Sequence, residues 1–160
     1  MTSEKIKGKF TFQSAGVLFI LSALLELYSI NARVPLFGNV RGGLIAATYH
    51  LIYVVLFFCL GFGLYKARPW AYRLVFAATG FYTLDRLVYI SDRKALEAYL
   101  AALLDKYGIA AGIPETGSIL KVVILAALLT AAGWWGFAGY TYLRRRYFQQ
   151  QGPVAKTDGS

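Results

Sequence analysis

Four long apolar stretches dominate the pattern of hydrophobic and polar positions along the chain. They cover about residues 10–30, 44–65, 70–90 and 119–143, and more polar connectors separate them. A helix crosses the hydrocarbon core of a bilayer with about 20 apolar residues. Lipid offers no partner to open backbone amides, and the sequence lacks the period-two alternation of barrel strands. The pattern therefore predicts an all-α integral membrane protein, a four-helix bundle of membrane spans.

The third stretch is the least apolar of the four. Its charged residues lie near its ends, where arginine side chains can extend toward the membrane surface: Arg73, Asp85 and Arg86. Amphipathic aromatic residues, which favour the membrane interface, bound the stretch at both ends: Trp70, Tyr72 and Tyr89. We therefore predict that this stretch also crosses the bilayer.

The connectors indicate how the helices are joined. Connector 66–69 is so short that the second and third spans must form an antiparallel hairpin. Between the third and fourth spans, apolar residues recur at helical spacing: Leu96, Leu100, Leu103 and Tyr107. This spacing predicts an amphipathic helix at 94–107, too short to span, which lies along the membrane interface or caps the bundle. A single domain then covers residues 1–148, and 149–160 form a polar tail predicted to be disordered.

Composition and charge add an orientation. The chain is 58% hydrophobic, against about 45–50% for an ordinary soluble domain. Ten basic and two acidic residues fall on the side that holds both termini, against seven basic and six acidic residues on the other side. Basic flanks stay in the cytoplasm, so both termini are predicted to lie inside. The net charge of +9 then indicates topology rather than nucleic-acid binding.

One basic run lies directly after the fourth span. It consists of three consecutive residues: Arg144, Arg145 and Arg146. The simplest interpretation is a stop-transfer flank, and contact with anionic lipid head groups is the functional alternative.

Single residues exclude several classes of site. Cys59 is the only cysteine and His50 the only histidine. A disulfide, a haem held by two histidines and a zinc site built on several histidines are therefore excluded within one chain. The sequence predicts no cofactor, no metal site and no catalytic residue. A cleaved signal sequence is the alternative for the first stretch, but the stretch is long for a signal and contains Glu26.

Ionisable residues within the apolar stretches fall at a similar depth. Glu26 is near the end of the first stretch and His50 near the start of the second, while Lys121 opens the fourth. Helical spacing places Tyr82, Asp85 and Arg86 on one face of the third stretch. Ionisable groups in a membrane are costly and mark candidate functional sites. We predict a polar cluster in the outer half of the bundle, formed by Glu26, His50, Tyr53, Tyr82, Asp85 and Arg86.

The alternative is that this cluster only holds the helices together. Arg86 would then pair with Glu26 or Asp85, and His50 would hydrogen-bond a tyrosine, each pair contributing about 1 kcal/mol. Small residues on the fourth stretch, Gly133, Gly136 and Gly139, predict close packing inside the bundle, or else a dimer contact.

Residues 61–71, GFGLYKARPWA, resemble a connector found in small bacterial membrane proteins of several domain-of-unknown-function families. The resemblance implies about four spans and a bacterial inner-membrane location, and it implies no activity. The small multidrug transporters, with four spans and a glutamate in the first, are similar only superficially, because those chains are much shorter.

Three functions are compatible with the sequence. The first is a non-enzymatic accessory or scaffold subunit, with the lipid bilayer, a second copy or a larger membrane complex as its partners. The second is an oligomeric transporter or channel that binds an ion or small solute through the polar cluster. The third is an intramembrane enzyme that acts on a lipid or quinone, with His50 as acid–base group.

Overall fold

The structure, a computed structural model, describes residues 8–36, 39–106 and 116–149. Within these ranges it is almost entirely helical, which confirms the predicted all-α class. The elements follow in the order α1 (Lys9–Tyr28), β1 (Val34–Leu36), β2 (Asn39–Arg41), α2 (Gly43–Tyr65), α3 (Pro69–Ser91), α4 (Arg93–Lys106), α5 (Thr116–Leu143) and α6 (Arg146–Gln149).

Three of these helices are long and apolar enough to cross a membrane: Lys9–Tyr28, Gly43–Tyr65 and Gly117–Leu143. Helix α3 is as long as α2, at 23 residues, but it is less apolar because of its three charged side chains. The predicted boundaries of all four stretches agree with α1, α2, α3 and α5 to within about three residues.

Two small elements were not predicted. The connector between α1 and α2 contains an antiparallel hairpin in which Val34 pairs with Arg41 and Leu36 with Asn39. Helix α6 ends at Gln149, and the remaining residues of the predicted tail, 150–160, lie outside the described part of the chain. Sequence patterning misses such elements because three or four residues are too short to show a period.

Helices α1 and α2 cross at two glycines. A methyl group built on Gly16 would lie 2.8 Å from the carbonyl oxygen of Gly61, and one built on Gly61 would lie 2.7 Å from that of Gly16. Contacts this short to backbone atoms leave room only for hydrogen, so the two backbones touch. The crossing fixes the register of the helix pair.

The connector between α2 and α3 is a tight helix-ending turn. The Arg68 amide donates to the Gly63 carbonyl at 2.8 Å, and the Ala67 amide donates to Leu64 at 3.2 Å. This pair of bonds is the Schellman motif, with Ala67 in the left-handed conformation at φ 50°. Pro69 then starts α3, where its missing amide proton is not needed. The antiparallel hairpin predicted from connector 66–69 is present.

The larger core begins at the end of the molecule that carries this turn and α6, here called the tail end, and extends along the helices to Ala23 and Tyr53. The Phe12 ring is fully buried and contacts four aromatic rings: Phe137, Tyr140, Tyr147 and Phe148. The Tyr147 hydroxyl donates to the Leu64 carbonyl at 3.1 Å. Burial raises the pKa of Tyr147 above its ordinary value. These contacts join α6 to α1, α2 and α5.

The opposite end carries the β1–β2 hairpin and α4, and is here called the hairpin end. Leu96 and Leu100 of α4 are buried against Leu120 of α5. These are two of the leucines that predicted the amphipathic helix. The Leu103 side chain and Tyr107 lie outside what the structure describes. Helix α4 therefore packs on the helices through the predicted apolar face.

The outer surface of the long helices is apolar. Large side chains are exposed along α1, α2 and α5, including Leu18, Leu25, Leu51, Val55 and Leu129. A protein in water rarely exposes contiguous apolar surface on this scale, whereas a protein in lipid must expose it. The surface therefore agrees with the three apolar helices in indicating a membrane protein.

Candidate functional site

The first part of the polar cluster is an ion pair between α1 and α2. Glu26 follows Gly16 by ten residues and His50 precedes Gly61 by eleven, so the antiparallel register set at the glycine crossing brings them together. His50 Nδ1 lies 2.7 Å from Glu26 Oε2. Because a carboxylate can only accept, Nδ1 carries a proton in this contact, and Nε2 is an acceptor in the neutral ring and a donor in the protonated ring. The sequence expectation that His50 hydrogen-bonds a tyrosine is not what the structure shows.

The second part joins α2 to α3. The Tyr49 hydroxyl lies 3.1 Å from both carboxylate oxygens of Asp85 and donates to them. Asp85 also pairs with the neighbouring Arg86, at 3.4 Å from its Nη2. The Arg86 guanidinium lies over the rings of Tyr82 and Tyr89, at 4.8 and 5.4 Å from their centroids. Of the two partners that the sequence offered for Arg86, the structure therefore gives Asp85.

Three polar atoms of the cluster are not satisfied by this network. Within the described residues, His50 Nε2, Tyr53 Oη and Arg86 Nε are buried and make no hydrogen bond of acceptable geometry, although Tyr49 and Asp85 lie close to the Tyr53 hydroxyl. His50 is 7% exposed and Tyr53 is 2% exposed. A buried polar group without a partner costs about 1–3 kcal/mol, so three such atoms in one cluster need an explanation.

These three side chains line one cavity of about 320 Å³ at the hairpin end. The cavity brings together five of the six predicted residues, Glu26, His50, Tyr53, Tyr82 and Arg86, and Asp85 lies behind them on Tyr49. Its other walls are Val34, Tyr49, Phe57, Tyr89 and Tyr99. The size is at the lower end of the range of about 300–1,000 Å³ found for small-molecule sites.

Two of the lining residues come from elements that cover the cavity. Val34 belongs to β1 and Tyr99 to α4. Sequence reasoning missed both as site residues, although it placed α4 as a cap over the bundle. The signal that could have found Tyr99 is its position as a polar-tipped aromatic residue in an amphipathic helix next to the polar cluster.

The remaining candidates lie elsewhere. Lys121 is exposed on α5 and does not line the cavity. Arg144, Arg145 and Arg146 are exposed at the tail end, where Arg144 lies over Tyr140 and Arg145 over Tyr142. They form a separate basic patch.

The small residues of α5 do not pack closely inside the bundle, as the sequence predicted they would. A methyl group added at Gly133, Gly136 or Gly139 would meet no atom within 4 Å. The predicted packing of this face inside the bundle is therefore wrong among the residues described. Close approaches occur at Gly16, Gly61 and Gly63.

Comparison with protein-family models, with curated proteins and with solved structures gives no match. In the described ranges, no three His, Cys, Asp or Glu side chains lie together as metal ligands would. The geometry of the cavity is therefore the basis for inferring a function.

Proposed function

We propose that the protein is a four-span integral protein of the bacterial inner membrane, with both termini in the cytoplasm, and that its cavity binds a small ligand. Helix α3 supports the fourth span. Its 23 residues rise about 34 Å, enough to cross a bilayer core. It follows a three-residue turn after α2 and packs against both α2 and α5. The basic flanks support the orientation, and the connector's resemblance supports the membrane.

The observation that carries the ligand-binding function is the set of three unpartnered buried polar atoms on one cavity. A cluster with a purely structural role would pair its polar groups, as His50 with Glu26 and Tyr49 with Asp85 do. A ligand that satisfies the unpaired atoms accounts for both the cavity and the missing partners. This arrangement favours ligand binding over the accessory role that the sequence ranked first.

Mass spectrometry of molecules that co-purify with the protein from its own membrane tests this function. Tyr53→Phe removes one unpartnered hydroxyl and keeps the ring, whereas Tyr142→Phe removes an exposed hydroxyl at the tail end. We expect a small molecule that wild type and Tyr142→Phe retain and that Tyr53→Phe loses. An identical set of molecules in all three proteins would contradict the proposal.

The open face of α5 favours a second candidate function, a partner-binding subunit. Gly133, Gly136 and Gly139 leave space into which another helix could pack closely. With Cys59→Ser as background, a Gly136→Cys protein should then form a disulfide with a second copy or with another membrane protein in native membranes. A chain that stays monomeric and uncrosslinked under oxidation would remove this candidate.

A further inference from the structure

We propose that the ligand is a neutral, lipid-tailed molecule of the quinone class, whose ring occupies the cavity and whose tail lies in an adjoining apolar groove. This inference rests on the proposed ligand-binding function of the same cavity and adds the chemical class of the ligand. Four features carry it: the balance of charge in the cavity, the hydrogen-bonding capacity of the three unpartnered atoms, the aromatic walls and the position of the groove.

The charges of the cluster favour an uncharged ligand. An anion in the cavity would meet the Glu26 carboxylate, and a cation would meet the Arg86 guanidinium. Arg86 also covers the faces of Tyr82 and Tyr89, which would otherwise be open to a ligand cation. Arg86 is already paired with Asp85, and the Glu26 carboxylate already accepts a hydrogen bond from His50, so each charged group of the cluster has a partner within the protein.

The unpartnered atoms match carbonyl and hydroxyl oxygens. Arg86 Nε and Tyr53 Oη are donors that a quinone carbonyl can accept from. With Nδ1 donating to Glu26, His50 Nε2 can accept from the hydroxyl of the reduced, quinol form when the ring is neutral, and can donate to a quinone carbonyl when the ring is protonated. A molecule that carries carbonyl groups in one form and hydroxyl groups in the other can use all three atoms.

The walls fit a flat ring. Besides the polar atoms, the cavity is lined by aromatic side chains, among them Tyr49, Phe57, Tyr89 and Tyr99. Aromatic rings pack favourably against another planar system. A volume of about 320 Å³ holds a head group but not a long lipid chain. Any hydrocarbon tail must therefore leave the cavity.

A groove of about 670 Å³ between α2 and α3 provides the place for such a tail. Its lining is apolar and includes Val55, Cys59, Leu74, Ala77 and Phe81. Phe81 of the groove contacts Tyr53 of the cavity, with 5.6 Å between ring centroids. From Thr48 to Cys59 the groove follows about 16 Å of helix toward the tail end. The Tyr53–Phe81 ring pair therefore lies between the polar cavity and the apolar groove, and an amphiphile with its head in the cavity would pass this pair to place its tail in the groove.

Tryptophan fluorescence provides the test, because quinones quench it at short range. Trp134 stacks on Tyr82 of the cavity at 5.3 Å between centroids, and Trp70 lines the groove. A benzoquinone with a ten-carbon tail, titrated into the full-length protein in lipid nanodiscs, should quench with saturation. Tyr53→Phe should weaken this binding by about tenfold, the loss expected for one hydrogen bond. Unsaturable quenching that is equal in both proteins would overturn the inference.

The tail is tested by filling the groove. Ala77 is exposed in the groove, and Ala132 is an exposed alanine on α5. Ala77→Phe should weaken binding of the tailed quinone, whereas Ala132→Phe should not. The tailed quinone should also slow the reaction of Cys59, the natural thiol in the groove, with an alkyl maleimide. If the tailed quinone bound both variants equally and left the rate of Cys59 alkylation unchanged, the placement of its tail in the groove would be contradicted.

Failure of this inference can be told from failure of the proposed function. If an alkyl sulfate or alkyltrimethylammonium of the same chain length binds the cavity more tightly than the quinone, the ligand class is wrong. If the co-purified molecule that depends on Tyr53 is charged, the ligand class is again wrong, while the binding function stands. If neither quinone quenching nor any co-purified molecule depends on Tyr53, both proposals are wrong.

Discussion

Deleting two buried tyrosine hydroxyls should change stability in opposite directions. Tyr53 and Tyr147 are 2% and 5% exposed, and replacement by phenylalanine keeps each ring in place. The Tyr147 hydroxyl donates to Leu64, whereas the Tyr53 hydroxyl has no partner among the described residues. Tyr147→Phe therefore removes a hydrogen bond. Tyr53→Phe removes a hydroxyl group that makes no hydrogen bond in the described part of the folded protein.

The magnitudes follow from those two environments. A hydrogen bond contributes about 0.5–1.5 kcal/mol net, so Tyr147→Phe should lower the free energy of unfolding by about that amount. The Leu64 carbonyl keeps its bond from the Ala67 amide, which places the loss at the low end of that range. An unpartnered buried hydroxyl costs about 1–3 kcal/mol. Ligand-free Tyr53→Phe should therefore be as stable as wild type or more stable.

Unfolding by sodium dodecyl sulfate in mixed micelles, followed by circular dichroism, measures both changes. The protein should first be exchanged into clean detergent, because a bound ligand would satisfy Tyr53 and hide the effect. If Tyr53→Phe destabilises the protein as much as Tyr147→Phe does, its hydroxyl has a partner within the protein. The reasoning that the cavity needs a ligand would then be refuted.

The remaining predictions concern the helix crossing and the tail end. Gly61→Ala should destabilise by about 1–3 kcal/mol, since its methyl group would lie 2.6 Å from the Ile20 side chain and 2.7 Å from a backbone oxygen. Gly136→Ala places its methyl group in open space and should not destabilise the protein. If thermal unfolding showed the same loss of stability in Gly61→Ala and Gly136→Ala, the close helix crossing at Gly61 would be contradicted. Because the pKa of Tyr147 is raised in the folded state, its contribution is present below about pH 10. The stability advantage of wild type over Tyr147→Phe should therefore shrink as pH rises above about 10. An advantage that stays constant to alkaline pH would argue against that burial.

The long elements and the depth of the polar residues could be predicted from the sequence. The apolar stretches gave the helix boundaries to within about three residues, and spacing placed the stripe of Tyr82, Asp85 and Arg86. These features are local, because hydrophobic periodicity and length decide them. The predicted cluster therefore includes five side chains that line the cavity.

The pairings and the covering elements could not be predicted. Glu26 meets His50, rather than Arg86, because of a crossing at Gly16 and Gly61 that depends on tertiary contacts. Tyr99 reaches the cavity through the packing of α4 on α5, α3 and the β1–β2 hairpin. Which polar atoms stay unpartnered is decided by differences of a few tenths of an ångström, and a pattern of residue types carries no such information.

The account depends most on α3 crossing the membrane, since this brings Asp85 and Arg86 to the same face as Glu26 and His50. Single cysteines in a Cys59→Ser background, treated in intact cells with a membrane-impermeant maleimide, measure this directly. Arg41 and Ser91 are exposed at the hairpin end, and Arg68 and Arg144 at the tail end. We predict labelling of Arg41→Cys and Ser91→Cys, with Arg68→Cys and Arg144→Cys protected until the cells are opened. Labelling of Arg41→Cys with protection of Ser91→Cys would show that α3 does not cross, and would contradict the account.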